Sequence, residues 1–250
     1  MRYRKLSDIS HIWVVGGIVG VSLLIAIAYG IGRESGWNFS DEQNKNSSEQ
    51  SAISTSDNDN YPVRTTVATE FWVGEGADES NAYIHNRASA WTRDWVGAYG
   101  GVDNPDDRCE GYVPCGFTPK ENSFYVALPF NDIAEDGKPK AEELLHRIPW
   151  YSGSSTTGVS IMKNRWVEIR YNGKTAYAQI EDVGPMNEND AGYVFGASEP
   201  KYEAGLDMSP AIGDYLGTTG KSTVQWRFVE ATEVPDGPWT NIVTTSQIKW

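Results

Sequence analysis

The 250-residue chain has room for one globular domain with attachments, and it can bury a core without a metal or a dense disulfide framework. Its net charge of −13 is unevenly spread: residues 1–33 hold four bases and one acid, so the remainder carries 17 bases against 33 acids, a net −16. That balance excludes nucleic acid and an anionic membrane surface as ligands of the remainder, since both select a basic face, and leaves neutral or amine-bearing polymers open.

Residues 12–32, IWVVGGIVGVSLLIAIAYGIG, contain no charge. At ~1.5 Å per residue such a run is about long enough to cross a ~30 Å hydrocarbon layer. Arg2, Arg4 and Lys5 precede it with Asp8 as the only acid, which assigns residues 1–11 to the cytoplasm and 12–32 to a transmembrane signal-anchor. The alternative is secretion after cleavage at the small-residue site Ala26-Ile27-Ala28. Either way the chain beyond is exported, anchored to the membrane with its C-terminal domain outside the cytoplasm in the first case. Residues 33–62, rich in Ser, Asn, Asp and Gln, are expected to form a disordered linker, because they bury too little apolar surface to offset ordering entropy.

The domain proper is expected over 63–250. VRTTVATEFWVGE (63–75) alternates as a first strand does. In 81–101, Ile84, Ala88, Trp91, Trp95 and Ala98 recur at helical spacing and predict a turn or two of helix. Cys109 and Cys115 lie in the turn-rich stretch 103–123 of the exported part, which predicts a local disulfide; a metal site there lacks a third cysteine or a histidine. FYVALPF (124–130) reads as a strand ended by its proline, and KAEELLHR (140–147) as a short helix. WVEIRY (166–171) and TAYAQI (175–180) alternate around Asn172-Gly173, the signature of a tight hairpin. The second arm runs into Glu181-Asp182-Val183-Gly184-Pro185. Further on, Ser209 can cap a helix begun by Pro210 and ended by Gly217. STVQWRFVE (222–230) completes the strands, and the polar tail after it is expected to pack back on them.

That succession of Leu128-Pro129-Phe130, Asn172-Gly173, Asp182-Val183-Gly184-Pro185, Asp207-Met208-Ser209 and Leu216-Gly217 resembles the domain of the rare lipoprotein A type, and more loosely expansins and family 45 endoglucanases. The resemblance implies a mainly β fold: a six-stranded double-psi β-barrel with short helices and loop insertions, here preceded by the N-terminal transmembrane helix. It also implies action on cell-envelope polysaccharide, peptidoglycan first, by lytic or hydrolytic cleavage, with no cofactor. The alternatives are a non-catalytic, wall-loosening glycan-binding module and a structural or protein-interaction barrel.

Glycosidic cleavage needs a carboxylic acid at the leaving oxygen and usually a second carboxylate. The resemblance assigns Asp182 as general acid/base, with Asp207 or Glu181 as electrostatic partner. The family's histidine before the Leu-Pro is Tyr125 here, and its D-R-G-P arginine is Val183. A phenol near pH 7 replaces an imidazole poorly. Tyr125, Trp91, Trp95 and Trp150 are the candidate sugar-binding aromatics, set against the ordinary use of such residues in packing. The acidic loop 181–192 lacks calcium-loop spacing, so no metal is expected.

Overall fold

In the computed structural model the described residues are 61–79 and 81–250, and they fall in one compact unit, Thr55–Trp250. The cytoplasmic tail, the transmembrane span and all but the last two residues of the linker lie outside the described residues. Among the described residues no helix is long and apolar enough to cross a membrane.

Among the described residues eight strands and four short helices follow in order: β1 Arg64–Glu70, α1 Trp95–Tyr99, β2 Arg108–Cys109, β3 Val113–Pro114, β4 Tyr125–Leu128, α2 Glu142–Leu145, β5 Trp166–Tyr171, β6 Lys174–Val183, α3 Ala191–Val194, β7 Ala204–Met208, α4 Pro210–Leu216 and β8 Ser222–Val229. Six of the strands close a barrel in the order β1-β7-β4-β6-β5-β8, while β2 and β3 form a separate two-stranded ribbon. Closure leaves no free edge, so each barrel strand satisfies its backbone groups on both sides. The pairings β1–β7 and β4–β6 are parallel and the other four antiparallel. The fold is therefore a mainly β, closed six-stranded barrel with few short helices.

The hairpin forms as the alternation predicts. Asn172 and Gly173 take φ of 45° and 77°, a primed turn whose twist matches the strands it joins. Side chains from all six strands meet in one core, including Leu128, Val167, Ile180, Leu206, Trp226 and Phe228, each at most 2 % exposed. Full burial of such a side chain stabilises by roughly 1.5–3 kcal/mol. The tail packs back on this core through Trp239, and Asn122 joins the two by donating to the Trp239 carbonyl at 3.1 Å.

One local expectation narrows and another changes. The helical spacing across 81–101 yields only Trp95–Tyr99, begun by Asp94, whose carboxylate accepts the Gly97 N–H, and ended by Gly100 in the left-handed region. Upstream, Gly74 and Glu75 instead exchange backbone hydrogen bonds with Asn86, which turns that stretch back on the end of β1. Ser209 does precede α4, and Gly217 ends it at φ 80°, but the Ser209 hydroxyl makes no cap bond. It donates to the Ser123 carbonyl at 2.7 Å and accepts from the Tyr125 N–H at 3.3 Å, tying β7 to β4. The barrel uses the hydroxyl that the helix would have used.

Candidate functional site

β4 runs between β7 and β6, and one small residue on it organises the site. Ala127 stands opposite Asp207 on the antiparallel side and opposite Asp182 on the parallel side. Its methyl leaves room for a carboxyl on each flank, and all three residues line one open cleft of about 610 Å³. Gly184 closes the arrangement: a Cβ there would lie 3.1 Å from Asp207 Oδ2 and 3.6 Å from the Ala127 methyl. Glycine lets the end of β6 approach that closely.

Two irregularities in the ladders set the aim of these side chains. Against β4, the register of β6 slips between Ile180 and Asp182, and Glu181 is the residue passed over. Against β1, the register of β7 slips between Ala204 and Leu206, passing over Gly205. A bulge bends its strand and re-aims the side chains after it. One such bulge lies just before each aspartate.

Asp182 is 8 % exposed, and its Oδ1 accepts two backbone hydrogen bonds, from Ala90 at 2.7 Å and from Val183 at 2.8 Å. Among the described residues nothing donates to its Oδ2. Burial drives the Asp182 carboxyl up to about 7; the two N–H donors resist this and the neighbouring Asp207 adds to it. Asp207 accepts the Thr69 hydroxyl on Oδ1, and burial carries it up to about 6, with Glu75 adding to the rise. Two carboxyls that burial raises toward neutral pH thus share a wall, an arrangement that suits acid–base chemistry there.

The other residues singled out from the sequence lie elsewhere. Glu181, next to Asp182 in the chain, does not line the cleft: it is 2 % exposed and its Oε2 pairs with the buried Lys163 ammonium. Burial pushes its carboxyl up, to about 7, against the pull of Lys163. Tyr125 is 1 % exposed and points into a small aromatic cluster with Phe71, Trp95 and Tyr99. Its hydroxyl donates to Asp103 Oδ2 at 2.8 Å and accepts from the Val73 N–H at 3.0 Å, and burial raises it well above an ordinary phenol. Trp95 is 2 % exposed in the same cluster. Trp91 is fully buried, donating to Asn131 at 3.1 Å. Trp150, half-buried, donates to the Ile161 carbonyl at 2.8 Å and is covered by the Arg165 guanidinium 4.1 Å from its ring. Cys109, in β2, is disulfide-bonded to Cys115, just past β3. Among the described residues no three metal-ligating side chains stand together as for an ion.

The cleft also contains residues that the sequence pattern did not single out: Trp72, Glu70, Glu75, Tyr202 and Lys221. Trp72 directly follows a buried Phe71 just past the end of β1, and the half-exposed indole marks where the chain leaves the ladder. Glu75 is only 6 % exposed; Asn86 donates to it at 2.6 Å, and burial raises its carboxyl. An alternation that breaks at Phe71-Trp72 was the one available signal for the first of these.

No protein-family model and no curated protein matches the chain. Among solved structures it is similar to the Streptomyces papain inhibitor (SPI), with 14 % identity over 68 % of this chain and 96 % of that one and a TM-score of 0.29. At that score the likeness carries no argument. The barrel stands on its own strand order.

Proposed function

We propose that this chain is a double-psi β-barrel of the rare lipoprotein A type, tethered outside the cytoplasmic membrane, that cleaves cell-envelope polysaccharide, the peptidoglycan strand in the first instance. The observation that carries the reading is the pair Asp182 and Asp207, from two strands, flanking Ala127 in one open cleft. Asp182, whose carboxyl burial raises to about 7, protonates the leaving glycosidic oxygen. Asp207, in its ionised form, stabilises the positive charge that develops on the sugar ring. In lytic cleavage the glycan's own hydroxyl then attacks the ring carbon and returns its proton to Asp182, so the enzyme ends as it began. Trp72 and Tyr202 offer ring faces for sugars along the same cleft.

A second reading, non-catalytic glycan binding in the manner of expansins, is favoured by one observation. The residue at the family's histidine position, Tyr125, has its hydroxyl engaged by Asp103 and the Val73 N–H and offers no proton to the cleft. Incubation of purified cell wall with wild type and with Asp182→Asn separates the two readings. Cleavage predicts soluble products with anhydro or new reducing ends, reduced about 10²–10⁴-fold in the variant. Equal release removes Asp182 from the mechanism, and wall pelleting without any product establishes the binding reading.

A further inference from the structure

Resting on the cleavage reading above, we propose that residues 244–249 act as a strap that positions the acid, pairing with the turn at 89–92 and so holding the Ala90 N–H on Asp182. Two N–H groups bond Asp182 Oδ1. The Val183 donor belongs to the next residue of the same strand and moves with the aspartate. The Ala90 donor comes from 92 residues away in the chain, and it alone of the two fixes the carboxyl against another part of the molecule.

Ala90 lies in a tight turn. The Ser89 N–H donates to the Thr92 carbonyl at 2.9 Å, and the Ser89 hydroxyl accepts the Trp91 and Thr92 N–H groups at 3.3 and 3.1 Å. Outside the turn, the backbone of 89–93 bonds in two places, to Asp182 and to Lys249. The Lys249 N–H donates to the Trp91 carbonyl at 2.8 Å and the Arg93 N–H to the Lys249 carbonyl at 3.0 Å, a parallel bridge centred on Thr92. Lys249 is held in turn by what precedes it. Thr244 donates its N–H to the Gln179 amide oxygen at 2.8 Å and accepts from the Gln179 amide nitrogen at 3.0 Å, so one side chain of β6 receives it as a neighbouring strand would. Asn164 donates to the Ser246 carbonyl at 3.0 Å, and the Gln247 side chain accepts the Ser160 N–H at 3.2 Å. Gln179 stands three residues before Asp182 on β6. The strap therefore begins on the strand that carries the acid and ends on the turn that holds it.

Covering apolar surface accounts for Trp239 and Ile248, which pack on the core. It does not account for the bridge at Lys249, a pair of backbone bonds that fixes the turn beside the acid. Each N–H that reaches a buried carboxylate favours its charged form. At Asp182 the Ala90 and Val183 N–H groups oppose burial, as does Lys163 from the stretch before β5, whereas Asp207 on β7 acts with burial. Glu181, beside Asp182 on β6, is paired with Lys163. Slackening the strap withdraws one opposing donor and leaves these charges in place, so Asp182 holds its proton to higher pH.

Carbon-13 NMR titration of the aspartate carboxyls in the full chain, kept in mild detergent and with the Asp182 signal assigned by its loss in Asp182→Asn, tests this without any substrate. Lys249→Pro removes the N–H that meets Trp91 and is expected to raise the Asp182 midpoint by about one pH unit. Lys249→Ala keeps that N–H and is expected to titrate as wild type. If Lys249→Pro fails to fold, Arg93→Pro removes the other bond of the same bridge. An unmoved midpoint in the proline variant, whatever its melting temperature, overturns the inference, because packing alone changes only stability. An equal rise in Lys249→Ala and Lys249→Pro assigns the effect to the ammonium and also overturns it. A raised midpoint in the proline variant alone, with no product from wild-type protein on purified cell wall, supports the strap and overturns only the cleavage reading.

Discussion

Two sets of buried carboxyls lie close together in this molecule and are treated in opposite ways. Asp103, fully buried, is held on one oxygen by the Arg108 guanidinium and on the other by the Tyr125 hydroxyl, and Arg108 also donates to the Tyr112 carbonyl. Asp182 and Asp207 flank Ala127, on the same strand as Tyr125. They have N–H and hydroxyl donors on one oxygen each and, among the described residues, no free cation in the cleft to meet the other. In both regions burial raises the carboxyl's pKa, yet only in the first does a cation pair directly with the carboxylate. Burial is common to both regions, so it cannot mark the site. The site is marked by an incomplete set of partners facing open space.

The largest effect that could break this contrast is on the closed side. Arg108→Ala leaves Asp103 charged, buried and without its guanidinium, and is expected to lower unfolding stability by ~3–5 kcal/mol in urea titrations. Protein that remains folded should release wall sugars at the wild-type rate. A large loss of release per folded molecule would show that the two regions are not separate.

A smaller effect concerns the open side and has a definite sign. Unfolded aspartate ionises near pH 4, whereas Asp182 does so in the folded state at about 7. Between these values the folded state holds more protons, so the stability contributed by the protonated carboxyl is complete below about pH 4 and is lost as pH climbs through 7. Asp182→Asn, whose amide oxygen still accepts the Ala90 and Val183 N–H groups, should match wild type at pH 4 and exceed it at pH 8 by roughly 2–4 kcal/mol. Thermal unfolding across that range measures the difference. A constant difference would mean that the carboxyl stays ionised throughout and is not an acid at neutral pH.

The smallest expected effect sharpens the boundary. The Cys109–Cys115 bridge closes a short loop next to Arg108, and its loss in Cys109→Ser/Cys115→Ser should cost about 2 kcal/mol by chain entropy. A loss as large as that of Arg108→Ala would show that the bridge is what holds the guanidinium on Asp103.

How far the sequence could be read differs from element to element, for physical reasons. The β5–β6 hairpin was legible because alternation and an Asn-Gly turn are local properties, each decided by a few bonds. The strand β7 was harder. AGLDM is too short to show a period, and it is a strand because β1 and β4 hold it from both sides. Asp182 and Asp207 stood out by motif. Trp91, Trp95 and Tyr125, sugar-facing candidates by residue type, are core residues, because an aromatic ring is equally suited to a wall of the core and to a wall of a cleft. Trp72 and Tyr202, which do line the cleft, carry no pattern that distinguishes them from those three.

Composition and periodicity by themselves determined that the chain past its apolar run is acidic, β-rich and built around one hairpin with acids at its end. These properties come from residue type and spacing, which act over a few positions. Only the tertiary structure decided that Ala127 would separate two aspartates 25 residues apart, that Glu181 would turn away to Lys163, and that Asp182 would keep one oxygen unengaged among the described residues. Those outcomes depend on which strands become neighbours and where a bulge shifts their register, and neither is encoded in any single stretch of the chain.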